Sequence, residues 1–304
     1  MKSLYPFTKS ARRAKLYARN ASIVKQLKFA QYEVYCRNKV LESKASGLGN
    51  DAPDCITISL ASYSLRINTV YLTIESLMQQ SLKADRIVLC LSKNEFSEAD
   101  LPISLKKQRE RGLEILFCEE NLRSYNKFFY TLKKYPNDIV ITVDDDFIYP
   151  VDTVEILYNA YLKEPQVIHC NRARQMRLDK SGKLQSYRKW NFDKALNEAT
   201  LCTFPTGAGG VLYFPGSLDD AVFDKKSFLR LAPTADDVWL KAMSLKKSVK
   251  CRQVKHNRLF EEQFIAIPGS QVVSLRSRNK NRRSGNDAAI SQLFSKYGLY
   301  EFIK

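Results

Sequence analysis

The sequence predicts an open, mostly parallel α/β sheet flanked by helices and preceded by a basic helical extension. Three observations carry the prediction. Short apolar runs occur at 55–61, 86–91, 113–117 and 138–143, helix-like amphipathic stretches near 70–79, 103–111 and 127–135 separate them, and no internal repeat is visible. Runs apolar on both faces suit central strands of a parallel sheet, and the helices between them supply the crossovers that such a sheet requires.

In chain order, residues 8–44 come first, with Leu16 and then Ala21, Val24, Leu27, Ala30 and Val34, the last five at spacings of three and four, as on one helix face. The stretch 46–53, with Gly47, Gly49 and Pro53, interrupts any regular element and sets a boundary between a basic helical segment, 1–50, and a sheet domain, 51–304. Beyond the four strands, 151–162, 236–246 and 287–297 read as helices, and 167–169 and 210–214 as strands.

At 304 residues, 44% hydrophobic and 27% charged, the chain can bury a substantial core as one large domain or two small ones. The first seven residues lack the apolar run of a signal peptide, and no stretch approaches the roughly 20 apolar residues of a membrane span, so a cytoplasmic location is expected. Seven cysteines, Cys36, Cys55, Cys90, Cys118, Cys170, Cys202 and Cys251, include no CxxC pair and suggest neither a zinc site nor a disulfide framework.

A formal net charge of +17 calls for a polyanionic partner, an anionic membrane surface or a phosphorylated substrate. Much of the excess lies in Lys2, Lys9, Arg12, Arg13, Lys15, Arg19, Lys25, Lys28, Arg37, Lys39 and Lys44, opposed only by Glu33 and Glu42; Arg276, Arg278, Lys280, Arg282 and Arg283 form a second cluster. No helix-turn-helix, zinc-finger or RNA-recognition signature accompanies the charge, so no specific nucleic acid is expected. The basic segments instead suit docking on the inner face of an anionic bilayer.

Ligands of open α/β sheets bind at the carboxyl edge of the strands. Ser62, Tyr63 and Arg66 follow the first predicted strand, Arg123 and Lys127 the third, and Asp144, Asp145 and Asp146 end the fourth. Three adjacent carboxylates repel one another unless a cation or strong donors neutralise them, and Mg²⁺ or Mn²⁺ could do so together with phosphate oxygens. The same acids could instead form a solvated turn ahead of a helix beginning at Val151.

On these residues the chain resembles glycosyltransferases of the GT-A fold, of the type that builds bacterial capsule and lipopolysaccharide, whose Rossmann-like sheet ends in a DxD motif. Asp144 and Asp146 match the motif acids; 58–67 resembles the opening strand and nucleotide loop, and 73–82 the helix that follows. The resemblance runs from about Cys55 to at least Trp239. It implies a divalent metal on Asp146 with Asp144, a ribose or water contact from Asp144 and Asp145, and a nucleotide contact from Ser62, Tyr63 and Arg66. Uridine is the base commonest in the family resembled, so a UDP-sugar is the implied donor.

Further motifs admit two readings each. Arg66 and Lys127 offer charge to a diphosphate, or are surface residues that begin helices. Gly209 and Gly210, in the cluster 206–215, resemble the loop beside the donor sugar, or form a simple turn; neither GxxxxGK[ST] nor GxGxxG is present. Asp236 and Asp237 open a helix that Thr234 could cap, and they also resemble the acidic pair beneath the acceptor in inverting members, where the second acid is the base. The usual Glu-Asp is Asp-Asp here, which leaves the choice between them open. His169 reads as structural, and His256 is a candidate third metal ligand.

Together these readings predict metal-dependent transfer of a sugar to a hydroxyl of a glycan or lipid-linked glycan. A nucleotidyltransferase would also use carboxylates and a divalent ion, but its glycine-rich basic signature near the first strand is missing. A glycosidase needs two carboxylates and no diphosphate cations.

Overall fold

The computed structural model describes residues 9–190, 198–255, 260–270 and 285–303. Two compact units divide between Ser43 and Lys44. The first holds the helix α1, Lys9–Glu42.

In the second unit, β1 (Ile56–Ala61), α2 (Val70–Met78), β2 (Arg86–Ser92), α3 (Ile103–Glu110), β3 (Leu113–Cys118), α4 (Asn126–Lys134) and β4 (Ile139–Thr142) alternate. There follow β5 (Phe147–Ile148), α5 (Thr153–Lys163), β6 (Ile168–Cys170), β7 (Ala173–Gln175), β8 (Thr203–Pro205) and β9 (Val211–Tyr213). The described elements end with α6 (Lys225–Leu231), α7 (Asp236–Lys246), β10 (Cys251–Gln253), α8 (Phe260–Gln263), β11 (Ile265–Ala266) and α9 (Asn286–Tyr297). The expected α/β class is observed: seven strands form one sheet in the order β10-β6-β9-β4-β1-β2-β3, and only β9 runs antiparallel to its neighbours.

Strand periodicity explains the layering. In β1, Ile56, Ile58 and Leu60 point to one face, into a core shared with α2 and with Ile87, Leu89, Ile139 and Ile141. Thr57 and Ser59 point to the other face, and both are buried. Their hydroxyls are satisfied: Thr57 donates to Asp138 Oδ2 at 2.5 Å, and Ser59 donates to the Lys127 carbonyl at 2.5 Å while pairing with Thr131 at 2.7 Å. These bonds pin α4 across the sheet. The second core lies against α4, α6, α7 and α9 around Phe128, Phe228, Trp239 and Phe294.

Two sequence expectations are corrected. The helix expected from Val151 starts at Thr153, whose N–H and hydroxyl both donate to the Pro150 carbonyl; Asp152 makes no capping bond, and Gln80 Oε1 accepts from Val154 N–H at 3.0 Å instead. Thr234 does not cap α7. A turn in which Ala235 N donates to the Ala232 carbonyl at 3.0 Å moves the cap position to Ala235, which has no capping side chain. The short strands β5, β7, β8, β10 and β11 carry too few residues to show a period and were not anticipated. No described helix is long and apolar enough to cross a membrane.

Candidate functional site

Register places the site. The carboxyl ends of β1 and β4 share an edge, and antiparallel pairing of Val211 with both Thr142 and Cys170 brings the start of β9 to that same edge. The loop before β9 therefore meets the acids that follow β4, and the start of α7 completes the group through Asp237, which accepts from Gly207 N–H at 3.1 Å.

Asp145 and Asp146 are nearly buried, at 5% and 6% exposure, which excludes the solvated-turn reading for this pair. Ser62 donates to Asp145 Oδ2 at 2.6 Å, and one Arg66 nitrogen bonds its other oxygen. The second Arg66 nitrogen lies 3.1 Å from Asp146 Oδ2 and donates to the Ser270 carbonyl at 2.8 Å. Tyr63 lies under the guanidinium, 5.4 Å from ring centroid to carbon. Segment β11 closes on the triplet by pairing with β5, and Ile267 N–H donates to the Asp146 carbonyl at 2.9 Å.

Lys127 is buried on the other side of the triplet. Its ammonium lies 2.8 Å from Asp144 Oδ1 and 3.1 Å from Asp236 Oδ2, joining the strand acids to the helix acids. Burial opposes its charge, yet Asp144, Asp236 and Asp237 outweigh burial and hold the ammonium well above its ordinary range. Burial likewise opposes the Arg66 charge, and Asp145 and Asp146 raise it regardless.

Among the described residues, five carboxylates (Asp144, Asp145, Asp146, Asp236 and Asp237) thus crowd around the cations Arg66 and Lys127. Two acids register the crowding. Burial and then Asp144 push Asp146 up to about 7, against Arg66; burial and then Asp236 push Asp237 up to about 7, against Lys127. Burial also raises Asp145, against Arg66 and Ser62. Asp236 Oδ2 has no hydrogen-bond donor, only the ion pair with Lys127. Carboxylates gathered at a strand edge suit a divalent cation, and Mg²⁺ and Mn²⁺ sites commonly take only one or two protein carboxylates. Among the described residues no three His, Cys, Asp or Glu side chains form a cage.

The shifts carry a pH signature. Asp146 and Asp237 bind protons more tightly folded than unfolded, so their contribution to ligand-free stability is greatest below about pH 4 and is lost as pH rises through about 7. Asp237→Asn should therefore gain stability relative to wild type as pH rises from about 4 to about 7 in parallel thermal melts. A constant difference would show that Asp237 titrates at an ordinary carboxyl value.

Gly207, which the sequence did not single out, is the glycine against the acids. A side-chain carbon there would stand 3.2 Å from Asp237 Oδ1, 3.2 Å from Lys127 Nζ and 3.3 Å from Asp144 Oδ1. Gly209 instead abuts Phe260, Asn171 and Arg172, and Gly210, at φ 89°, abuts Leu157 and Val143. Tyr149 was also missed: its hydroxyl accepts from Asp144 N–H at 2.9 Å and donates to the Ala208 carbonyl at 3.2 Å, tying the triplet to the glycine loop. Only an aromatic with a hydroxyl five residues past the first acid could have signalled it. Arg123 is exposed, in a left-handed turn at φ 58°. Trp239 is core, its indole N–H donating to the Val222 carbonyl at 3.1 Å. His169 is buried with Nε2 3.1 Å from the Glu164 carbonyl. His256 and the basic residues 276–283 lie outside the described residues.

No protein-family model and no curated protein matches the sequence. Among solved structures, the chain is similar to a mannosyltransferase from Pyrobaculum calidifontis in complex with GDP-mannose and Mn²⁺, at 13% identity over 90% of this chain and 71% of that one, with a TM-score of 0.48. It is similar to glucosyl-3-phosphoglycerate synthase from Mycobacterium tuberculosis in complex with Mn²⁺, UDP and phosphoglyceric acid, at 17% identity over 39% of this chain and 43% of that one, with a TM-score of 0.31. It is also similar to 4-diphosphocytidyl-2C-methyl-D-erythritol synthase from Anaerococcus prevotii, at 13% identity over 68% and 91%, with a TM-score of 0.43. Glycosyltransferases and nucleotidyltransferases thus both occur among the neighbours.

Proposed function

We propose that this chain is a metal-dependent glycosyltransferase that moves a sugar from a nucleoside diphosphate, a UDP-sugar in the first instance, to a hydroxyl of a glycan or lipid-linked glycan in surface polysaccharide synthesis. The observation that carries this reading is the single cluster in which the strand acids Asp144, Asp145 and Asp146 reach the helix acids Asp236 and Asp237 through Lys127 and Gly207. Donor chemistry and acceptor chemistry need different carboxylates held a short distance apart, and the cluster offers both.

A divalent ion on Asp146 and Asp144 would stabilise the charge that develops on the departing diphosphate. Arg66 and Ser62 orient Asp145 toward the nucleotide side. Gly207 N–H fixes one oxygen of Asp237, leaving the other to take the proton of the attacking hydroxyl; direct attack then inverts the anomeric centre. A carboxyl pushed up to about 7 is a competent base near neutral pH. Residues 1–50 serve as a basic arm on a catalytic domain of 51–304, and the cations of α1 suit an anionic bilayer that carries a lipid-linked acceptor.

Thermal stabilisation by a panel of nucleotides, with Mn²⁺ or with EDTA, tests the site, and product analysis with the best donor tests the reaction. UDP with Mn²⁺ should raise the melting temperature, and Asp146→Ala should abolish both this metal-dependent shift and turnover. Undiminished turnover in EDTA would overturn the metal assignment.

A further inference from the structure

The helix α1 carries a second pattern, independent of the proposed catalysis. Over 16–41, Asn20, Leu27, Val34 and Leu41 recur every seven residues, and Leu16, Ile23, Ala30 and Arg37 recur every seven residues four positions before them. These are the a and d positions of a heptad repeat, sustained for about 39 Å of helix. The described seam faces solvent: Ile23 is 42% exposed, Leu27 65%, Val34 61% and Leu41 55%. The buried residues Cys36 and Val40 occupy c and g positions, outside the a and d seam itself.

Flanking residues agree with pairing. At e and g, Arg19 would stand across from Val24, Gln26 from Gln31, and Glu33 from Asn38 of an identical in-register helix, so no like charges oppose one another there; within the seam Arg37 meets its own copy at d, and Glu33 at g lies 3.2 Å from it to offset the charge. Lys25, Lys28 and Lys39 lie at f, b and f, away from the seam. A lone Asn at an a position is the device by which a two-stranded coiled coil fixes register and strand number, because the two amides bond each other only when aligned.

We infer that α1 forms a parallel, in-register, two-stranded coiled coil with a second copy of this chain, along Ile23, Leu27, Ala30, Val34 and Leu41. The outward lysines repel across the pair, so salt should strengthen the dimer, whereas attraction to an anionic bilayer weakens with salt.

The test is the mass in solution of the full chain over a wide concentration range, at low and high salt. Wild type should show twice the single-chain mass, held or tightened by salt, and Leu27→Asp with Val34→Asp should halve it; Lys25→Glu should remain dimeric. Asn20→Leu should broaden the distribution to larger oligomers. Leu27→Cys supplies a reading that does not depend on a disruptive variant: mild oxidation should link two chains, with wild type and Lys25→Cys remaining unlinked. Monomeric wild type at every concentration, a dimer that survives the double substitution, or no Leu27→Cys link would overturn the proposal. Monomers that pellet with phosphatidylglycerol vesicles through the same leucines would assign the seam to the bilayer instead.

Discussion

Asp237→Asn is expected to cut sugar transfer by roughly 10²–10⁴-fold, the usual contribution of a general base, while nucleotide binding stays at the wild-type level. The amide keeps the size of the carboxylate and an oxygen for Gly207 N–H, now at 3.1 Å, so the loop should hold its place. What it loses is the capacity to accept the hydroxyl proton. The measurement pairs initial rates with metal-dependent nucleotide binding for the same preparation. Because burial and Asp236 push Asp237 up to about 7, the wild-type rate at low substrate should also rise with pH through that value. Unchanged turnover would reject Asp237 as the base, and a loss confined to Asp236→Asn would move the role to its neighbour.

The second large effect belongs to Lys127. Replacing it with Met keeps the length and apolar stem but leaves Asp144 and Asp236 without the ammonium that lies 2.8 and 3.1 Å from them. Breaking a buried ion pair from one side costs roughly 3–5 kcal/mol, because the remaining charge has neither water nor partner. Asp236 is almost wholly buried and bears most of this cost, whereas Asp144 is 34% exposed and recovers some solvation. Chemical denaturation should show the loss at neutral pH and a partial recovery in acid, where the orphaned acids protonate. Lys127→Arg should not restore the site, since the larger guanidinium must enter a space where even one carbon on Gly207 would stand 3.2 Å from the ammonium. Wild-type stability in Lys127→Met would mean that the bridge does not form in solution.

The sequence by itself determined the long, regular parts of this protein. Four strands, their intervening helices and α7 were legible because each carries enough residues for a period to show, and because apolar runs flanked by amphipathic helices leave little topological choice. It also determined which acids end β4, since strand and triplet are contiguous. The tertiary structure alone decided which glycine meets those acids, that Lys127 spans from Asp144 to Asp236, that Tyr149 ties the triplet to the loop before β9, and that β11 closes over Asp146. The physical reason is one of range. Periodicity and propensity act between residues a few positions apart, whereas the pairing of β9 with β4 joins segments some seventy residues apart in the chain, and only burial of the assembled sheet makes that pairing favourable.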